Sequence, residues 1–226
     1  MTNMTSTVEH PISTINNTVS TAKAFIIFAH GAGADKSHEF MEQVSRALNK
    51  KNINVLRFNF SYMDVRLAEG NRRPPDRMPK LLHCFEKVIN ELDTHLPIFL
   101  AGKSMGGRVA ATLASDKTLK ALGVMCLGYP FHPQKQPEKL RLAPLQETQK
   151  PILILQGSRD ALGNKEEILG YEYSSHCRCV FFEDGDHNLK PRIKSGFTHI
   201  QHIEKAVNEM VNFIDESLEA NQVSLA

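Results

Sequence analysis

Residues 100–107 read LAGKSMGG. A hydroxyl stands between glycines at the end of an apolar run, and two roles suit it: a nucleophile at the tip of a sharp turn, or the polar cap of a helix that follows a strand. GKSMG fits the G-x-S-x-G pattern, in which glycines occupy places where side chains would collide with neighbouring backbone and the serine is pushed outward. The pentapeptide alone does not separate the two roles. The choice rests on whether the rest of the chain supplies a base, an acid and a loop of backbone donors where one fold would require them.

On either side of this stretch the chain alternates. Ala24–Ala29 (AFIIFA), Ile53–Phe58, 98–101, 121–127, 151–156 and Cys177–Phe182 are short apolar runs, the pattern of strands covered on both faces. Helical spacing of apolar residues predicts helices over 37–51, from Pro79 or Lys80 to before Pro97, and over 104–115, 165–173 and 197–218. In the last of these, Phe197, Ile200, Ile203, Val207, Met210, Ile214 and Leu218 recur every three or four residues, a stripe for docking on a sheet. About six alternations of strand and helix imply a compact α/β fold, doubly wound, with a mostly parallel central sheet of about six to seven strands flanked by helices.

Residues 59–79, with GNRRPPDRMPK, read as irregular by their glycine and paired prolines. The polar connection from Tyr129 to Pro151 leaves room for a small lid but no large cap domain. The expected organisation is a polar segment 1–20, poorly structured or holding at most an edge strand around residues 18–20, then a single domain over 21–220 and a short tail over 221–226.

In such sheets ligands sit beyond the carboxyl ends of the strands, so the informative residues are those just after each run: HGAGAD, RFNFSY, GKSMGG, GYPFHP, QGSRD and EDGDHNLK. Three of these supply, in chain order, Ser104, Asp160 and His187. A serine needs a base to take its proton, and His187 follows the last strand in a turn that would hold its ring over the sheet edge. His10 lies in the polar start, His83 and His95 on a helix and at its end, and His199 and His202 on the last helix. His30 and His132 follow strands, but neither comes after the acid. Asp160, after the preceding strand, is the expected orienting acid. Asp184 and Asp186 are nearer to His187 in sequence, where the far ring nitrogen is hard to reach. Two backbone donors are expected for an oxyanion: the N–H of Met105, at the start of a helix, and one from HGAGAD, first Ala32 and second Gly31.

Composition narrows the partners. The net charge of +2 is too mild to imply nucleic acid or an anionic membrane, and no stretch approaches the roughly 18 apolar residues of a membrane span. The start MTNMTSTVEH lacks the basic and apolar regions of a signal peptide. Cys84, Cys126, Cys177 and Cys179 form no CxxC pair and fit small buried hydrophobes of a reduced, cytoplasmic protein. Neither zinc-ligand spacing nor a nucleotide fingerprint is present, so no cofactor or metal is expected. The expected partner is a small-molecule substrate, with the protein a monomer or homodimer.

HGAGAD, RFNF, GKSMGGR, the pair GYPFHP and LR, QGSRD and GDHNLK together resemble the α/β-hydrolase superfamily, in particular a compact branch akin to dienelactone hydrolase. Within it they are similar to the family of a testis-expressed hydrolase-like protein and of the hydrolase-like subunit of a chromatin-associated acetyltransferase complex, the nonspecific-lethal complex. The resemblance runs over nearly the whole chain after Val19. It implies a Ser104, His187, Asp160 triad, oxyanion donors at Ala32 and Met105, and an eight-stranded sheet with its second strand antiparallel. The residues before AFIIFA are too few for two full opening strands.

For the substrate, Arg66, Arg72, Arg73, Arg77 and Lys80 cluster between RFNF and the following helix. Arg72 and Arg73, stiffened by Pro74 and Pro75, are candidate contacts for an acidic group on the substrate; the plainer role is a solvated loop that pairs with local acids. Three functions stay open: a serine hydrolase of small carboxylic esters or thioesters, a peptidase or amidase with the same triad, and a noncatalytic interaction module.

Overall fold

The computed structural model of the chain describes residues 12–225. The elements run β1 (Thr14–Asn17), β2 (Ala24–Ala29), α1 (Glu39–Asn49), β3 (Ile53–Phe58), α2 (Ser61–Glu69), α3 (Met78–Glu91), β4 (Ile98–Lys103), α4 (Met105–Leu113), β5 (Val124–Leu127), α5 (Ala143–Gln146), β6 (Ile152–Gly157), α6 (Lys165–Ile168), β7 (Cys177–Phe182) and α7 (His199–Leu225). Among the described residues one sheet of seven strands forms, in the order β1-β3-β2-β4-β5-β6-β7. All pairings are parallel except β1 with β3.

The apolar runs form strands because both of their faces are covered. In β2, Phe25, Ile27 and Ala29 enter one cluster with Phe85 and Val88 of α3 and Val109 of α4. Ala24, Ile26 and Phe28 enter the other with Val44 of α1 and Val207 and Met210 of α7. Successive residues of a strand face opposite ways, so a run without polar residues is what two covering layers require. The chain leaves β2 toward β3 on one side and β4 lies on the other. The carboxyl ends of β2 and β4 therefore border the crevice where the winding reverses.

Several boundaries differ from expectation. The edge strand lies at Thr14–Asn17, not around 18–20, and runs antiparallel to β3; Arg57, inside β3, donates to Asn17 Oδ1 and to the Lys36 carbonyl. Among the described residues seven strands stand where the resemblance implied eight. Residues 1–11 of the expected amino-terminal segment lie outside the described residues. Residues 61–69, expected as loop, form α2 with Tyr62 and Met63 buried. The glycine and prolines that suggested a loop follow this helix: Gly70, at φ 68°, is its left-handed cap. The helix expected over 165–173 stops at Ile168. The last helix runs on to Leu225, so the expected tail from 221 is helical. Its docking stripe begins at Ile203, since Ile200 is 71% exposed.

Candidate active site

The turn from β4 into α4 is possible only with glycine on both sides of Ser104. A Cβ on Gly102 would lie 2.1 Å from the Gly106 carbonyl carbon and Gly107 nitrogen, and one on Gly106 would lie 2.6 Å from the Ala29 carbonyl oxygen. Both clashes are with backbone, which cannot swing aside. Ser104 itself takes φ 53°, ψ −114°, a conformation that side-chain-bearing residues rarely adopt and that costs about 1–3 kcal/mol. Its N–H donates to the Leu127 carbonyl of the neighbouring β5 at 3.0 Å, so the strained residue is tied into the sheet.

His187 and Asp160 reach this serine from the loops after β7 and β6. His187 Nε2 lies 2.8 Å from Ser104 Oγ, and His187 Nδ1 lies 2.7 Å from Asp160 Oδ2. With the Nδ1 hydrogen donated to the carboxylate, Nε2 is free to accept from the serine hydroxyl. Asp160 is buried, and its second oxygen accepts from the Leu162 N–H at 2.9 Å. Asp184 and Asp186 are occupied elsewhere. Arg192 grips Asp184 from its guanidinium and its N–H and holds its carboxyl down to about 2. Asp186 accepts from the N–H groups of Asn188 and Lys190.

The loop after β2 closes the site on the other side. An added Cβ at Gly31 would lie 3.5 Å from the Cβ of Ser104, so HGAGAD abuts the serine. The buried Tyr62 hydroxyl donates to the Ala32 carbonyl at 3.1 Å, which fixes the orientation of that part of the loop. The Ala32 N–H has no acceptor among the described residues. Met105 is the first residue of α4, where an N–H has no partner within the helix. His30 braces the loop from beneath. Its Nδ1–H donates to the Gly31 carbonyl at 2.6 Å, and its Nε2 accepts from the Phe60 N–H at 3.1 Å. Burial pushes this imidazole down to about 4, so it stays neutral.

Two residues that bear on the geometry were not picked out by the sequence reading. Lys103 is 8% exposed, and its Nζ donates to the His187 carbonyl at 2.7 Å; burial lowers it to about 8 against the opposing pull of Asp160 and Asp186. Gln156 is buried and points its Nε2 at Asp160 Oδ2, at 3.0 Å, and at the carbonyls of Tyr129 and Gly163. Both end strands that are otherwise apolar, and a polar residue where the pattern demands burial was the available signal. Arg72 and Arg73 stand exposed between α2 and α3, and Arg73 pairs with Glu69 at 3.6 Å.

His187 keeps 28% of its side-chain surface exposed, so the site is open. Beside the loop after β2 lies a cleft of about 370 Å³ lined by Gly33, Ala34, His38, Met63, Arg66 and Leu67, among others. Among the described residues no group of three or more His, Cys, Asp or Glu is placed to hold a metal ion, and no helix is long and apolar enough to cross a membrane.

Known structures share this arrangement of strands and helices. Est1E from Butyrivibrio proteoclasticus superposes with a TM-score of 0.68 at 16% identity, over 92% of this chain and 95% of that one. Dienelactone hydrolase from Anabaena variabilis gives 0.65 at 17%, over 89% and 91%. XC6422 from Xanthomonas campestris, described as a serine hydrolase without a lid, gives 0.65 at 16%, over 88% and 89%. At such identities the likeness is one of fold. A family model described as the alpha/beta hydrolase domain matches residues 22–215, and the chain belongs to that family.

Proposed function

We propose that the protein is a serine hydrolase acting on a small carboxylic ester or thioester, with Ser104 as nucleophile, His187 as general base and acid, and Asp160 as the orienting carboxylate. The observation that carries this reading is the unbroken chain of hydrogen bonds Asp160–His187–Ser104, at 2.7 and 2.8 Å, ending on a serine held at φ 53°. His187 Nε2 takes the proton as Ser104 Oγ attacks the carbonyl carbon. The N–H groups of Ala32 and Met105 receive the oxygen as it becomes negative. The intermediate collapses to an acyl-enzyme, and His187 hands its proton to the departing alcohol or thiol. Water, deprotonated by the same nitrogen, then releases the acid.

The open site and the small cleft favour a compact or extended substrate over a long acyl chain, which would need an apolar enclosure. That preference agrees with the resemblance to the dienelactone-hydrolase-like branch. The four free cysteines support a cytoplasmic setting, and monomer or homodimer remains the expected state. The experiment is a fluorophosphonate probe on purified protein, which reacts quickly only with an activated serine. Labelling is expected at Ser104, absent in Ser104→Ala and strongly reduced in His187→Ala, with both variants folded. A wild-type protein that stays unlabelled where known serine hydrolases react would leave the noncatalytic module as the function.

A further inference from the structure

Arg108 and Arg141 are carried by two segments tied to the candidate site, one a helix and the other a loop. Arg108 lies one turn into α4, its N–H donating to the Ser104 carbonyl at 3.0 Å. Arg141 is held at both ends of its backbone: its N–H donates to the Phe131 carbonyl at 2.7 Å, and its carbonyl accepts from the buried Tyr129 hydroxyl at 2.8 Å. The turn carrying Tyr129 starts at Gly128, where an added Cβ would lie 3.3 Å from His187 Cε1. The Tyr129 carbonyl also shares the Gln156 amide with Asp160. One guanidinium thus hangs from the helix of the nucleophile, and the other from a segment tied to the turn that packs against base and acid.

Both arginines are half-buried. Neither makes an ion pair or a side-chain hydrogen bond among the described residues. Elsewhere in the chain Arg46, Arg73, Arg159, Arg178 and Arg192 each reach a carboxylate. Burial, and after it the Arg108 charge, lowers Arg141 from its ordinary value, with only the Tyr129 phenol opposing, and both arginines act on that phenol. Two like charges partly withdrawn from water without a counterion are unfavourable, and an anion between them removes the penalty.

We propose that Arg108 and Arg141 form a subsite for an oxyanion group, carboxylate or phosphate, carried by the substrate beside the carbonyl that Ser104 attacks. The inference rests on the serine-hydrolase reading above and names the substrate class for it. A guanidinium presents two parallel donors to such a group, and two guanidiniums from separate segments fix its direction as well as its charge. Arg72 and Arg73, on an exposed loop, have no comparable setting.

The test compares kcat/KM for mono-4-nitrophenyl succinate, for 4-nitrophenyl 3-(phosphonooxy)propanoate and for the neutral 4-nitrophenyl pentanoate. The proteins are wild type, Arg108→Gln with Arg141→Gln, and Arg72→Gln with Arg73→Gln. The ratio of an anionic to the neutral ester should fall about 10- to 100-fold in the first double variant, and the ester with the larger fall identifies carboxylate or phosphate. An unmoved ratio there, or a fall confined to the Arg72 and Arg73 variant, overturns the assignment. If the glutamine variant does not fold, Arg108→Lys with Arg141→Lys keeps the charge but loses the fork, and should lower the same ratio by less.

Fluorophosphonate labelling separates the two readings. Labelling with an unmoved ratio sinks the subsite and leaves the hydrolase standing. With neither labelling nor turnover the hydrolase reading fails, and thermal melting with inorganic phosphate or succinate then decides the subsite. A rise in wild type that is lost in the double variant supports it, and no rise overturns it.

Discussion

The ammonium of Lys103 donates a 2.7 Å hydrogen bond to the main-chain carbonyl of His187. The residue just before the serine thus holds the loop that carries the histidine, and the strand that sets the position of Ser104 also sets that of its hydrogen-bond partner. Lys103 is enclosed: a Cβ at Gly128 would lie 3.0 Å from its Nζ, and the Phe40 ring lies 5.8 Å below. No other donor to that carbonyl is present among the described residues.

Lys103→Met should lower kcat about tenfold or more with a smaller effect on KM, because it loosens the base and leaves a buried carbonyl unpaired. Steady-state kinetics on a neutral ester, together with the rate of fluorophosphonate labelling, provide the check. A rise in KM alone would show that Lys103 acts on substrate binding.

Burial lowers Lys103 to about 8, whereas the unfolded side chain titrates near 10.5. Between these values the unfolded chain binds more protons, so this group makes stability rise with pH. Activity should move the opposite way, because a neutral amine is a weaker donor to the His187 carbonyl. Melting and kcat measured from pH 7.5 to 10 should diverge in wild type and lose that divergence in Lys103→Met.

His30 gives an acid limb to stability. Its neutral form alone donates to Gly31 and accepts from Phe60, and it titrates near 4 when folded against 6.5 when unfolded. The unfolded chain therefore takes up the proton first, and stability falls as pH drops from about 6.5 to 4, by about 3 kcal/mol. Urea unfolding at several pH values should show this loss in wild type and much less of it in His30→Asn, itself less stable at pH 7.

Asp160→Asn should cut kcat by up to about 10⁴ with the fold retained, because an amide cannot hold the required histidine tautomer. Asp184→Asn should instead act on the turn that Arg192 and Arg159 brace, changing melting more than kcat. A kcat loss confined to Asp184→Asn would move the acid to the wrong loop.

The elbow predicts two opposite effects on folding. Gly102→Ala places a Cβ 2.1 Å from backbone atoms and should abolish soluble folded protein. Ser104→Gly relieves a positive φ and should melt higher than Ser104→Ala by an amount equivalent to about 1 kcal/mol. Equal melting of the two serine variants would mean that the turn stores no strain.

The sequence by itself determined the layers and the order of the chemistry. Runs such as AFIIFA and ILIL have no polar face, as a doubly covered parallel strand requires, and the two glycines of GKSMG mark a turn that backbone contact closes to any larger residue. Serine, aspartate and histidine each follow such a run, so they fall on one edge of any sheet the runs build. Helix α2 was not legible, because Gly70 and the paired prolines that suggested loop are its terminators, and a glycine ending a helix reads the same as one inside a loop. Tertiary structure brings Asp160, the acid expected from the strand order, onto His187 and keeps Asp184 away: Asp184 is held by Arg192, eight residues along the chain, once folding closes their turn, and Asp160 arrives from the neighbouring strand. It also decided that Lys103 lies under His187 and that Arg108 and Arg141 stand without a carboxylate. Those relations depend on distances between segments 27 to 84 residues apart, and a linear pattern records periodicity along one segment, not the separation between two.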